Sequence, residues 1–364
     1  MKLLFLLPHP IESPGPRFCV YQYLQNFKDA GIDYTISTFL NSYEYENIYN
    51  KKNILLVKKI IILIAAFIKG TLKQLLATLT AKNYDGVIVY RETITWGGAW
   101  IEKYISKKGI PLIHIYDDAI WLPVKSQIGI NPFLKKLIKS ENKFDEITKV
   151  STHVIVVNRY LANHANMFNK HVNIIPIVVN DHFLNSVMEK KKTKDIIAIG
   201  WVGSGSTAPY LHLLDNIWEK LPKNCELRIV GGEYMPKGIK TINIKWSLET
   251  ELHEFAMIDI GIVPMPDNEW VKGKGGGKTL QYMSMNIPTI GSAVGINTEI
   301  IQDGVNGSLA KDDKEWVDKL TMLIENPELR LKLGREGRRT VEEKYSVKVW
   351  APRYVEILRN VVEG

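Results

Sequence analysis

The chain has 364 residues, 45% of them hydrophobic and 24% charged, which are globular proportions and exclude wholesale disorder. Its 47 Lys+Arg outweigh 39 Asp+Glu, and the whole excess lies in the first half: residues 1–185 hold 22 basic and 14 acidic side chains, residues 186–364 hold 25 of each. Two cysteines, Cys19 and Cys225, cannot build a disulfide framework, and no Cys/His cluster has zinc spacing, so a reducing, cytoplasmic setting is expected.

Met1-Lys2 is followed by only five apolar residues, Leu3 to Leu7, before Pro8. A secretory leader needs a core of roughly 7–15, so this run predicts a buried strand instead. Further strands are expected at Tyr34–Phe39, Gly86–Tyr90, Leu112–Ile115 and Val154–Val157, with helix-like segments at Cys19–Ala30, Ala99–Lys108 and Arg159–Asn169 between them. That alternation is the mark of a parallel sheet covered on both faces.

One segment departs from it. From Lys51 to Lys82 there are seven lysines and no acid, around the unbroken apolar run Ile60–Ile68. Crossing a bilayer takes about 18 apolar residues, more than this run has. The region from Lys51 to Lys73 reads as a basic amphipathic segment on an anionic membrane surface, or as a core helix with lysines at its ends.

After the polar stretch Glu189–Asp195 a second series begins. Its strands are expected at Ile196–Val202, Glu226–Val230, Ile242–Ile244, Asp259–Val263, Thr289–Ile290 and Gly307–Leu309. Its helices are expected at Pro209–Lys220, Glu249–Phe255, Lys278–Met285, Asp313–Glu325 and Pro327–Lys344. The prediction is an α/β chain of two Rossmann-like, doubly wound domains, residues 1–180 and 181–345, with a final helix in residues 346–364.

The densest chemical signal is Lys272-Gly273-Lys274-Gly275-Gly276-Gly277-Lys278-Thr279-Leu280-Gln281. Glycines let backbone N–H groups close on a ligand, and a helix starting near Lys278 adds the positive end of its dipole. The combination suits a pyrophosphate, although Lys272 stands where a P-loop has its first glycine. A second glycine-rich turn, Gly203-Ser204-Gly205-Ser206-Thr207, follows the first strand of the second series. In an open α/β sheet both loops lie at the carboxyl ends of the strands, where ligands bind.

These loops carry a resemblance. Asp259–Pro266, Lys272–Lys274, Lys278–Met283, Ile287–Thr289, Val294–Asn297 and Gly304–Gly307 together resemble the nucleotide-sugar site of the family 4 glycosyltransferases. Pro14–Arg17, Tyr90–Glu92 and Tyr116–Trp121 are weaker matches in the first half. The resemblance implies the GT-B architecture, two Rossmann-like domains facing each other across a cleft. It implies a retaining, metal-independent hexosyltransferase of the bacterial surface-polysaccharide kind, using a UDP- or GDP-sugar as co-substrate and no other cofactor. The acceptor would be a growing, lipid-linked glycan such as lipopolysaccharide, at the inner face of the membrane, with no nucleic acid partner. The donor would be held by Gly203, Ser204, Ser206, Thr207, Trp246, Lys274, Gly275, Gly276, Gly277, Lys278, Thr279 and Gln281.

Asp117, Asp118 and Lys278 are the catalytic candidates, and Arg17, Arg91 and Glu92 the acceptor contacts. The aspartates could instead cap a helix, and Arg91 and Glu92 could form a salt bridge at a strand end. Trp246 and Trp270 could serve packing alone, and His9 reads as a loop histidine. The chain departs from the family where most members carry Glu, seven residues, Glu: Gly273 and Gln281 stand in those places. Other readings are a nucleotide-sugar epimerase of the same fold and a non-catalytic nucleotide-binding module.

Overall fold

In the computed structural model, which describes residues 1–50, 55–122, 140–186 and 196–364, the apolar runs become twelve strands in two sheets. The first six are β1 (Lys2–Leu7), β2 (Asp33–Thr38), β3 (Gly86–Tyr90), β4 (Leu112–Tyr116), β5 (His153–Val156) and β6 (Val172–Ile174). The second six are β7 (Ile197–Val202), β8 (Cys225–Val230), β9 (Lys240–Ile244), β10 (Ile260–Val263), β11 (Thr289–Ser292) and β12 (Ser308–Ala310). Four helices matter below: α1 (Leu56–Leu79), α2 (Trp100–Lys107), α3 (Gly277–Ser284) and α4 (Val347–Glu363).

The chain divides into two units. Unit 1 comprises Met1–Pro176 and Ala351–Gly364, and unit 2 comprises Ile177–Trp350. Unit 1 holds a parallel sheet of order β2-β1-β3-β4-β5-β6, with Phe5 opposite Ile36 on one side and Ile88 on the other. β3 and β4 are buried at every position, as strands covered on both faces must be. Tyr354 of α4 meets Tyr23 edge-on at 4.9 Å and Phe27 at 5.2 Å, and its hydroxyl donates to the Cys19 carbonyl. Residues from beyond position 350 therefore complete the core of unit 1.

Unit 2 holds a parallel sheet of order β12-β11-β10-β7-β8-β9. From β7 the chain winds outward through β8 and β9, then returns to the other side of β7 and winds outward through β10, β11 and β12. The reversal between β7 and β10 is the topological switch point, and the crevice beyond its carboxyl ends is where such sheets bind ligands. In unit 1 the same reversal lies between β1 and β3.

Three expectations are corrected. The helix expected at Pro209–Lys220 is two 3₁₀ segments, Ala208–Leu214 and Trp218–Lys220. Its buried residues Ala208, Leu211, Leu214 and Ile217 recur every three positions, the period of a 3₁₀ helix. The edge strand β6 was not expected, because its Val-Asn-Ile is short and mostly exposed. The segment after residue 50 becomes a 24-residue helix, α1, because Lys69, Gly70, Lys73 and Gln74 continue the helix beyond the unbroken apolar run. Most of its apolar side chains are exposed, which removes the core-helix reading. Lys51 and Lys52, and the stretch Glu189–Asp195, lie outside the described residues.

Candidate functional site

Tyr282 fixes the geometry at the switch point of unit 2. It lies on α3, fully buried, and its hydroxyl accepts from Val202 N (2.7 Å) and donates to Gly200 O (3.0 Å) at the carboxyl end of β7. That pins α3 beside the turn that follows β7. Gly276 caps α3 with φ +76°, a left-handed backbone, and a Cβ there would stand 2.4 Å from Ile300 Cδ1. Only glycine fits both demands. The first-turn N–H groups, starting at Gly277, have no intrahelical acceptor and present the positive end of the helix.

Lys278 reaches from this first turn to the β7 loop. Its Nζ donates to Thr207 Oγ1 (2.9 Å) and sits 4.4 Å from the centre of the Trp201 ring. Among the described residues no carboxylate is ion-paired with it. Burial, reinforced by the charge of Lys274, pulls its pKa down to about 7. An ammonium held over an indole face with no ion-paired carboxylate among the described residues is chemically suited to an anion. Lys274 lies over the Trp270 ring at 4.9 Å, so Trp270 supports this lysine.

The turn after β7 is partly open. Gly203 N donates to Val230 O (2.9 Å), Ser204 and Ser206 share a hydroxyl hydrogen bond of 2.8 Å, and Thr207 Oγ1 also contacts Ser204 O. Gly231, just past β8, has φ +80°, and a Cβ on it would stand 2.1 Å from Gly203 O and 3.1 Å from Trp246 Cβ. The loops after β7, β8 and β9 therefore meet at one point. The indole N–H of Trp246 donates to Glu251 Oε1 (3.1 Å), which sets the ring's orientation and leaves it half-buried.

Two predicted donor residues behave unlike the others. Thr279 is fully buried and donates to Asn297 Oδ1 (2.8 Å), so only its backbone N–H faces outward from the helix end. Gln281 is buried, and its Nε2 has no hydrogen-bond partner among the described residues. A buried amide donor of that kind is costly unless something else satisfies it. Gly275 and Gly277 flank Gly276 and are half-buried.

The remaining candidates belong to unit 1. Arg91, directly after β3, donates to Asp117 Oδ1 through Nη2 (2.6 Å) and Nε (3.0 Å), and to Asp118 Oδ2. The Tyr90 hydroxyl also donates to Asp117. Arg91 has φ +60°, and His114 Nε2 holds its carbonyl at 2.9 Å. Burial takes His114 down to about 4, so it is a neutral donor there. Asp117 and Asp118 thus form an ion-paired cluster with Arg91, and no helix starts on them among the described residues. Glu92 pairs with the fully buried Lys143 at 3.1 Å, which also donates to Ile94 O and Trp96 O. Arg17 lies on the short helix Pro14–Cys19 after β1. His9 is brought down to about 4 by burial and by the charge of Arg91, and its ring packs against Tyr45 and Tyr49.

Sequence reasoning missed Gly231, and gave Trp201, Tyr282 and Tyr90 no role although they lie within the matching segments. Their roles are set by the packed sheet, which puts Trp201 under Lys278 and Tyr282 against β7. Gly231-Gly232, directly after β8, was a visible signal of the same kind as the loops that were recognised.

Comparison with known proteins agrees with the fold. Residues 194–326, which contain both glycine loops, match the family model described as "Glycosyl transferases group 1". Trehalose synthase of Pyrococcus horikoshii is 32% identical over 74 residues, 20% of this chain, and the match spans only 18% of that protein. Among solved structures, sucrose-phosphate synthase from Thermosynechococcus elongatus superposes with a TM-score of 0.67 at 13% identity, covering 99% of this chain and 98% of its own. Anabaena HepE in complex with UDP-glucose superposes with a TM-score of 0.65 at 12% identity, covering 99% of this chain and 100% of its own. Residues 194–326 thus carry the likeness to the glycosyl transferases group 1, and the superposed structures share the GT-B fold of the whole chain.

Proposed function

We propose that the protein transfers a hexose from a UDP-sugar to a hydroxyl of a growing, lipid-linked surface glycan at the inner face of the cell membrane, with retention of configuration. The observation that carries the donor half is Lys278, an ammonium with no ion-paired carboxylate among the described residues, at the N-terminus of α3 between two glycine loops at the switch point. Breaking a nucleotide-sugar bond leaves negative charge on the β-phosphate. Lys278, Lys274 and the free N–H groups of α3 supply opposing charge where it develops, which is what lowers the barrier. Gln281 Nε2 is available to a ribose hydroxyl, and Trp246 to the uracil ring. The neighbour solved with UDP-glucose supports uridine as the base. The departing phosphate oxygen can take the acceptor proton, so the chemistry does not depend on a free Asp117 or Asp118. Those two, with Arg91 and Arg17, are assigned to the acceptor side. The lipid-linked acceptor is supported by the positive excess of residues 1–185.

The test is turnover of a panel of UDP- and GDP-sugars with membrane-extracted lipid-linked glycans. Lys278→Ala and Gln281→Ala should each lower kcat/KM by about a hundredfold or more while the protein stays folded. Unchanged turnover in both variants removes the assigned donor site. A new epimer formed from the nucleotide sugar alone would replace transfer by isomerisation.

A further inference from the structure

α1 is bound to unit 1 along a single stripe. Ala66, Gly70, Gln74 and Thr78, four residues apart, are its buried positions. Gln74 Nε2 donates to Leu7 O (3.2 Å) and Ser37 O (3.1 Å), at the carboxyl ends of β1 and β2. A Cβ on Gly70 would stand 2.6 Å from Phe39 O, so the helix backbone lies directly against the loop after β2.

The rest of the helix is apolar and uncovered. Ile61, Ile64, Ile68, Leu72, Leu76 and Leu79 are each at least 55% exposed, and their spacing of three and four puts them on one face. Val57–Leu79 is long and apolar enough to cross a bilayer, yet only 17% of its most apolar stretch is buried. Lys58, Lys69 and Lys73, separated by eleven and four residues, line one flank of that face. Aromatic side chains extend it sideways. Phe67 packs on Trp96 at 5.5 Å, Trp96 on Trp100 at 6.3 Å, and the Trp96 indole N–H donates to Thr71 Oγ1 (2.9 Å). Trp100 and Tyr104 are exposed on α2, with Lys108 Nζ 5.5 Å from the Tyr104 ring centre.

We infer that α1, with Trp96, Trp100 and Tyr104, is the surface by which unit 1 docks on an anionic lipid bilayer, α1 lying in the membrane plane. This rests on the lipid-linked acceptor proposed above and gives it a place in the fold. The lysine flank meets headgroup phosphates, the isoleucine and leucine face enters the acyl boundary, and the tryptophans sit at the level between. A spanning orientation would carry Gln74, Thr78 and the ends of β1 and β2 into hydrocarbon, where their backbone groups have no partners. A second copy of this chain is a poorer occupant. A two-fold contact through this face would bring two such lysine flanks together, and Glu44, 3.3 Å from Lys69, answers only one of the three lysines on each. The docked edge is the one that carries Tyr90, Arg91, Asp117 and Asp118, because all six strands of the sheet are parallel. A lipid-borne hydroxyl therefore reaches that edge without its carrier leaving the bilayer.

Co-sedimentation with vesicles of phosphatidylcholine, alone and with about one-third phosphatidylglycerol, tests this. The wild-type protein should bind the anionic vesicles at least about tenfold better than the neutral ones. The triple variant Ile61→Ser/Ile64→Ser/Ile68→Ser should lose about a hundredfold in partitioning with its melting temperature unchanged, since all three side chains are exposed. Brominated lipids should quench the wild-type tryptophan fluorescence and quench Trp100→Phe less. Equal sedimentation of the wild type and the triple variant, or a dimer dissolved by the triple variant without vesicle binding, overturns the inference. Calorimetric UDP binding by both proteins separates the two readings. Loss of vesicle binding with UDP binding intact leaves the donor site standing, and the converse leaves the docking surface standing.

Discussion

Burial, with the charge of Lys274, brings the pKa of Lys278 down to about 7, so its charge follows pH near neutrality. In the folded protein its pKa is about 7 against an ordinary 10.5. Between those values the unfolded chain holds a proton that the folded chain lacks. Lys278 therefore makes the ligand-free protein more stable as pH rises from about 7 to 10.5 and contributes no slope below that window. A bound diphosphate reverses the balance by favouring the ammonium. Above pH 7, UDP binding should take up a proton, and Kd should weaken by up to about tenfold per pH unit. Calorimetry at pH 8 in buffers of different ionisation enthalpy reads the proton directly. In Lys278→Met the proton uptake should vanish and affinity should fall by about a hundredfold, the value of a charge-assisted pair. A pH-independent Kd in the wild type would show that the lysine does not meet the phosphates.

At the scale of elements, α3 works because one side chain ties it to β7. Tyr282→Phe removes both of its hydrogen bonds and leaves Val202 N and Gly200 O unsatisfied in a buried place. The expected cost is about 1–3 kcal/mol of stability, with a raised KM for donor as the helix end loses its position. Thermal melting and donor titration of the variant check this, and a wild-type KM would mean that packing alone positions the helix. The same scale shows where sequence reasoning succeeds and where it stops. Strands such as β3 and β4 are legible because a strand buried on both faces must be apolar throughout. The Lys272–Gln281 loop is legible because its chemistry is contiguous. The full length of α1 is not, because an uninterrupted apolar run is a stricter rule than a helix obeys when its lysines lie on a flank. The Arg91–Asp117–Asp118 cluster is only half legible. Each residue stands at a strand end, but which alternative holds is decided by the pairing of β3 with β4.

For the whole molecule, the placement of α4 matters most. Tyr354 and Leu358 are buried in unit 1, and Arg359 donates to Ala30 O (2.6 Å), although the residues before them belong to unit 2. Tyr354→Ala should cost about 3–5 kcal/mol, the range for a buried aromatic, and should unfold unit 1 selectively. Hydrogen exchange should then rise across β1 to β6 while β7 to β12 stay protected, and uniform loss in both sheets would mean that the two units fold as one. The excess positive charge belongs to this scale as well, since it lies in residues 1–185.

The interrupted path of unit 1 also sets an order of events during synthesis. A nascent chain that has emerged only as far as residue 346 already contains every strand of both sheets. Unit 2, drawn from one continuous stretch, can close soon after its own residues leave the ribosome. Unit 1, made earlier, waits with the faces of Tyr23 and Phe27 uncovered until Tyr354 arrives. The half translated first is thus the half finished later, and in that interval its uncovered aromatic surface is open to chaperones.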